Sequence, residues 1–155
     1  MTRLYYWLHA QTQYNLHSPF LFDMYREVLF APLTPEERRR HAIPRHDLYC
    51  ELLYKCCNHY HLQPANSQQP IAHSTLLTPT QPSTLNNCQP DTGQFSILNS
   101  QFSILLVSHP HATPAAEAQW EHLKANPTYQ VSLDLYDVAL LIRNPRLSRQ
   151  HFLLR

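Results

Sequence analysis

The sequence predicts an α/β domain with helices in its N-terminal part and an antiparallel hairpin near its C terminus. Three observations carry that expectation. Apolar residues recur at helical spacing from position 4 to position 60. A continuous apolar run covers positions 102–107. Apolar and polar residues then alternate from 129 to 136, ahead of a second apolar run at 138–142. With 155 residues the chain is long enough for one domain.

Leu4, Trp7, Leu8 and Gln11 share one helical face, a short stripe that ends near Tyr14. A second helix opens with Ser18 as a cap and Pro19 in its first turn, and Leu21, Met24, Tyr25, Val28 and Leu29 give it a core-facing stripe until Pro32 closes it. Thr34, Pro35, Glu36 and Glu37 form a capping-box start for a short basic helix with Arg38, Arg39 and Arg40, stopped by Pro44. From Asp47 to about Leu62, Leu48, Leu52, Cys56 and Tyr60 line one face, with Leu53 and Cys57 beside them. These helices make up a first region, 1–63.

Residues 64–93 differ in character. They are rich in Pro, Gln, Asn, Ser and Thr and carry Asp91 as their one charge, so they bury too little apolar surface to offset about 1–2 kcal/mol of backbone entropy per residue. A disordered or loosely packed loop is expected there. The third region, 94–155, begins with a doubled sequence, QFSILNSQFSIL, in which the second QFSIL runs on into Leu106 and Val107. That extension marks 102–107 as a strand covered on both faces. Thr113 and Pro114 start a helix with Ala116, Trp120 and Leu123 on one face, ended by Pro127. Tyr129, Val131, Leu133 and Leu135 alternate with Gln130, Ser132, Asp134 and Tyr136, and a tight link near Tyr136 and Asp137 joins them to 138–142 as paired strands.

A net charge of +1 argues against a nucleic-acid or membrane partner recruited by bulk charge. The opening residues 1–13 have a basic residue and an apolar patch, but glutamines interrupt them before signal-peptide or spanning length, so a cytoplasmic location is expected. Cys50, Cys56, Cys57 and Cys88 lack the regular spacing of a disulfide framework and read as free thiols. Glycine is the sharpest constraint. Gly93 is the one glycine against thirteen prolines, where average usage of about 7% would give roughly ten. A loop that cradles a phosphate or nucleoside needs left-handed backbone, which costs about 1–2 kcal/mol at each residue other than glycine.

Side-chain chemistry offers several candidate sites, each with a simpler structural reading beside it. Cys56, Cys57, His59 and His61 are soft ligands within six positions, yet on a helix they do not share one face and no paired Cys-x-x-Cys is present, so no metal site is expected. His109 and His111 flank Pro110 and could approach one ion in an extended segment, but lack a third ligand. Cys57 near His59 or His61 is a weak thiolate candidate. Arg38, Arg39, Arg40 and Arg45 could contact an anion or RNA, or form a solvated helix face. Tyr5, Tyr6, Trp7, Phe20 and Phe22 could stack on bases, or pack in the core as their spacing favours. No catalytic nucleophile or general-base pattern is recognisable, and no cofactor-binding residue can be assigned.

NLHSPFLFDMYREVL (15–29), DLYCELLYKCCNHYHLQP (47–64) and AQWEHLKANPTYQVSLDLYDVALLIRNPRLSRQHFLLR (118–155) resemble segments of class I S-adenosylmethionine-dependent methyltransferases of a type found in Bacteroidetes. They are similar to that family's HSPF-containing N-terminal helix, the helix before its first core strand, and its last helix, hairpin and terminal tail. The resemblance implies a Rossmann-like, doubly wound sheet whose first strand ends in a glycine-rich loop, followed by an acidic residue for the ribose. This chain has neither after Pro64. Family members also carry a pattern like D-D-I-H-W after the strand that matches 102–107. Here Ser108, His109, Pro110, His111 and Ala112 stand in its place, and His111 alone agrees. The expectation is therefore a reduced Rossmann-like sheet without a cofactor and with little or no methyl transfer. Two alternatives stand beside it: an interaction protein that forms homo-oligomers through exposed sheet edges, and a decayed reading frame.

Overall fold

In the computed structural model, residues 2–11, 18–64, 74–79 and 102–155 are described. Tyr14, His17, Cys88, Gly93 and the first QFSIL copy lie outside them, as does most of the expected loop at 64–93. The chain is α/β, with helices in its N-terminal part and a six-stranded, mostly antiparallel sheet. Among the described residues no helix is long and apolar enough to cross a membrane.

Helix α1 (Arg3–His9) starts at Thr2, whose hydroxyl accepts from the Tyr5 amide. It ends well before Tyr14, and it buries a different face from the one its stripe predicts. Tyr6 and Ala10 point inward, whereas Leu4, Trp7 and Leu8 are exposed by 70%, 58% and 63%. The reason is the Tyr6 hydroxyl, which donates to the carbonyls of Asp134 and Leu154 and so rolls the polar-tipped ring toward the sheet.

Helix α2 (Pro19–Asp23) runs directly into a π-helical turn, Met24–Leu29, closed by the Phe30 amide on the Tyr25 carbonyl. Ser18 takes the N-cap position without a side-chain bond. The wider turn still buries Leu21, Met24, Val28 and Leu29 as the spacing predicts. Helix α3 (Pro35–Arg40) has the expected capping box, with Thr34 and Glu37 bonded reciprocally. Helix α4 (Leu48–Tyr60) is capped by Asp47, whose carboxylate accepts from the Cys50 amide at 3.0 Å, and ends at His61 in left-handed backbone.

The strands are β1 (Leu62–Pro64), β2 (Ser74–Pro79), β3 (Ser103–Ser108), β4 (Val131–Asp134), β5 (Val138–Arg143) and β6 (Gln150–Leu153), with helix α5 (Pro114–Ala125) between β3 and β4. Their order is β1-β2-β3-β5-β4-β6. The expected hairpin is β4 with β5, in register Val131 to Ile142 through Asp134 to Ala139. Because β3 and β4 both run antiparallel to β5, they share a direction, and the unit β3-α5-β4 is a β-α-β crossover with β5 inserted into its gap. Parallel pairing within the sheet is confined to β4 and β6.

Three elements arise where periodicity gave no signal: β1, which starts at Leu62 where the helix was expected to end, and the strands β2 and β6. Strand β2 falls inside the segment expected to be a loop: its Ser and Thr mask the pattern, but Leu77 is fully buried, the backbone pairs with the apolar β3, and the Tyr49 hydroxyl donates to Thr75 at 2.6 Å. Strand β6 belongs to the terminal tail and is held by Leu154, buried beside Tyr6. A cluster on one face of the sheet joins Leu21, Met24, Val28 and Leu52 to Ile104, Leu106 and Leu140, and on the other face Trp120 of α5 packs on Leu105, Ala139 and Leu141. Strand β3 is thus covered on both sides, as its uninterrupted apolar run predicts.

Candidate functional site

The alternation in β4 predicts one apolar and one polar face. The polar face is not in solvent: Ser132 and Asp134 are exposed by only 2% and 3%, beneath α5. A carboxylate in that position needs partners, because burying it unpaired would cost several kcal/mol. It has three. The His111 Nε2 lies 2.8 Å from Oδ2, Trp120 Nε1 donates to the same oxygen at 3.1 Å, and the Tyr136 amide donates to Oδ1 at 2.8 Å.

Each donor is delivered by a different element. Trp120 comes from the inward face of α5, whose start at Thr113 is fixed by a hydroxyl that accepts from the Ala116 amide. His111 comes from the segment after β3, where the His109 amide donates to the Asp137 carbonyl at 2.7 Å and Pro110 is buried. The β4–β5 turn presents the Tyr136 amide because Tyr136 adopts φ 70°. His111 is itself enclosed, with 2% of its side chain exposed, and among the described residues its Nδ1 has no hydrogen-bond partner but faces Glu117 Oε1 at 3.9 Å. Its ring lies 5.4 Å from that of Tyr136, which in turn meets Tyr6 edge-on at 5.2 Å. One packed polar cluster therefore ties the end of β3, α5, the β4–β5 turn and α1 together.

On the β6 side of Asp134 a cavity of about 290 Å³ is lined by Ser132, His151 and Lys124 among others. Ser132 Oγ and His151 Nδ1 are 2.7 Å apart. Burial, with Lys124 and Arg149 nearby, lowers the His151 pKa below its ordinary value. This pair and the His111–Asp134 pair use separate histidines, so they do not make a relay of the serine-histidine-aspartate kind.

The other candidates are dispersed. Cys56 points into the core, where burial pushes its thiol up to about 12, and burial raises Cys57 as well, which removes the thiolate character a nucleophile needs. His59 packs edge-on against Tyr60 at 4.7 Å, while His61 is the left-handed cap of α4. His109 is exposed and separated in role from His111. Among the described residues, no three His, Cys, Asp or Glu side chains converge on a metal position. Arg38 donates to Glu51 and to the Pro44 carbonyl, and Arg39 to the Pro35 carbonyl; with Arg45 they line one open cavity of about 770 Å³, and Arg40 is exposed outside its lining. Of the aromatics, Tyr6 is buried and Phe20 packs on Tyr60 and Phe102, whereas Tyr5 and Trp7 are largely exposed.

Sequence reasoning singled out His111 and missed Asp134, Trp120 and Tyr136 as its company. A signal existed: Asp134 is an acidic residue in the middle of the apolar stretch VSLDLYDVALLI. No protein-family model, curated protein or solved structure matches the chain.

Proposed function

We propose that this chain is a shortened, cytoplasmic relative of the class I S-adenosylmethionine-dependent methyltransferases that carries out little or no methyl transfer and acts by its surface instead. The observation that carries the reading is the cluster at the end of β3. In doubly wound sheets ligands enter the crevice at the carboxyl ends of the strands. In this chain His111, just past that end of β3, is turned inward and held by Asp134, and the cavity of about 460 Å³ beside it, lined by Val107, Ser108, His109, Pro110 and Trp120 among others, has neither a glycine nor a carboxylate in its described lining. The backbone supports the same reading. Among the described residues the left-handed positions are Ala42, His61, His109 and Tyr136, each with a Cβ where a nucleoside-cradling loop would use glycine. Both features support the reading that S-adenosylmethionine is not held by this chain. The helix α5 and the β4–β5 hairpin stand where the resembling segments place the family's last helix and hairpin, which supports the kinship rather than the activity.

Calorimetric titration with S-adenosylmethionine tests this. No saturable heat is expected at micromolar to submillimolar ligand, and a micromolar dissociation constant contradicts the proposal. A cytoplasmic setting is supported by Cys50, Cys56 and Cys57, all free thiols. The use of Arg38 and Arg39 within the fold supports leaving nucleic acid out of its partners.

A second reading, self-association through a sheet edge, is favoured by β1, which ends the strand order and pairs on one side only with β2 among the described residues. Light scattering across a hundredfold concentration range should then show a dimer, and a strict monomer refutes it.

A further inference from the structure

A cavity of about 350 Å³ lies where α1, the end of the π-helical turn and the β4–β5 turn meet. Its volume falls at the small end of the range for ligand pockets, about 300–1,000 Å³. Leu29, Leu48 and Leu154 give it an apolar floor, and Trp7, Phe30 and Tyr136 supply aromatic walls. Trp7 and Phe30 are 58% and 42% exposed, so an occupant that covers them gains the free energy of removing aromatic surface from water.

The rim carries charge of one predominant sign. Arg3 sits 5.2 Å from the Tyr136 ring centroid and Arg155 5.2 Å from that of Trp7, against the single side-chain carboxylate of Asp137, 3.3 Å from Arg3. Arg155 is held over its ring by donating to the Trp7 carbonyl at 3.2 Å. Two guanidiniums already lie near aromatic rings, so a further cation would be repelled, while a planar anion can meet rings and guanidiniums together.

Tyr136 adds an independent observation. Its φ of 70° favours Gly or Asn and costs a residue with a Cβ about 1–2 kcal/mol, yet the position holds a large ring that forms a wall of the cavity.

From this cavity, its aromatic walls and its basic rim, we propose that the chain binds a small planar aromatic carboxylate, with the ring against Trp7, Phe30 and Tyr136 and the carboxylate on Arg3 and Arg155. The site is separate from any methyl-donor crevice and goes beyond the reading given above.

The test uses 2-naphthoate as probe, titrated into the full chain by calorimetry, with 2-naphthylmethanol as its neutral counterpart. One saturable site is expected, with the alcohol bound at least about tenfold more weakly, a difference of about 1.4 kcal/mol. Arg155→Gln should weaken 2-naphthoate by a similar factor. Tyr136→Asn removes the ring while placing a residue better suited to the backbone, so it should weaken binding about tenfold, with urea unfolding used to show that the variant is folded under the titration conditions. Absence of saturable binding, equal affinity for the alcohol, or undiminished affinity in Tyr136→Asn overturns the proposal. So does a dimer, seen by light scattering, whose formation excludes 2-naphthoate.

Discussion

Replacing Asp134 by Ala removes one acceptor from three donors. The Tyr136 amide sits in a half-buried turn where water can substitute, so it contributes little to the loss. His111 and Trp120 are different: their side chains are enclosed and both bond to the same Oδ2. Hydrogen bonds to a charged group contribute about 1.5–3 kcal/mol each, and two such bonds set the expected loss at about 3–6 kcal/mol. That is a large share of the roughly 5–15 kcal/mol by which domains are stable. Asp134→Asn, which keeps one oxygen in place, should lose less. Urea unfolding followed by tryptophan fluorescence reads both, since Trp120 is buried and Trp7 already exposed. A loss below about 1 kcal/mol in Asp134→Ala would show that the cluster does not hold the end of β3.

Three further outcomes are expected. Leu52→Ala empties a fully buried position between α4 and the sheet and should cost about 2–5 kcal/mol in the same unfolding assay, whereas Leu8→Ala on the exposed face of α1 should change stability by less than about 0.5 kcal/mol. Burial alone would raise the Glu51 carboxyl, but hydrogen bonds from Lys55 and Arg38 hold it below its ordinary value of 4.5. A carboxyl whose folded pKa is lowered contributes stability above the unfolded pKa and loses it as pH falls through the folded one. Urea midpoints should therefore drop below about pH 4.5, and Glu51→Gln should flatten that part of the profile; an identical slope in both proteins contradicts the assignment. A thiol reagent at neutral pH should leave Cys56 unmodified in the native chain and label it after unfolding, read by peptide mass, because its thiol is buried and pushed up to about 12.

Much of the architecture was legible because it rests on local pattern. The capping box at Thr34, the apolar face of α4 and the uninterrupted run of β3 each write their structure into neighbouring residues. What escaped reading depends on distant partners. Ser74–Pro79 is a strand because β3 offers it an edge, and the tail at Gln150–Leu153 is one because β4 does. Helix α1 turned the face opposite to its stripe inward because one hydroxyl, on Tyr6, found two carbonyls more than a hundred residues away. The same holds for the candidate site. His111 could be singled out because it agrees with the resembling family's pattern and flanks Pro110 with His109, but the carboxylate that holds it is 23 positions on, in a strand whose alternation pointed Asp134 toward water. Helix α5 makes that face an interior, and alternation alone cannot show which polar face another element will cover.

Equilibrium dialysis of radiolabelled S-adenosylmethionine against the full chain tests the central claim most directly. Label should distribute equally across the membrane at every protein concentration, because the cavity at the end of β3 has neither a glycine nor a carboxylate in its described lining and the described left-handed turns all carry a Cβ. Saturable retention on the protein side at micromolar ligand would contradict the account.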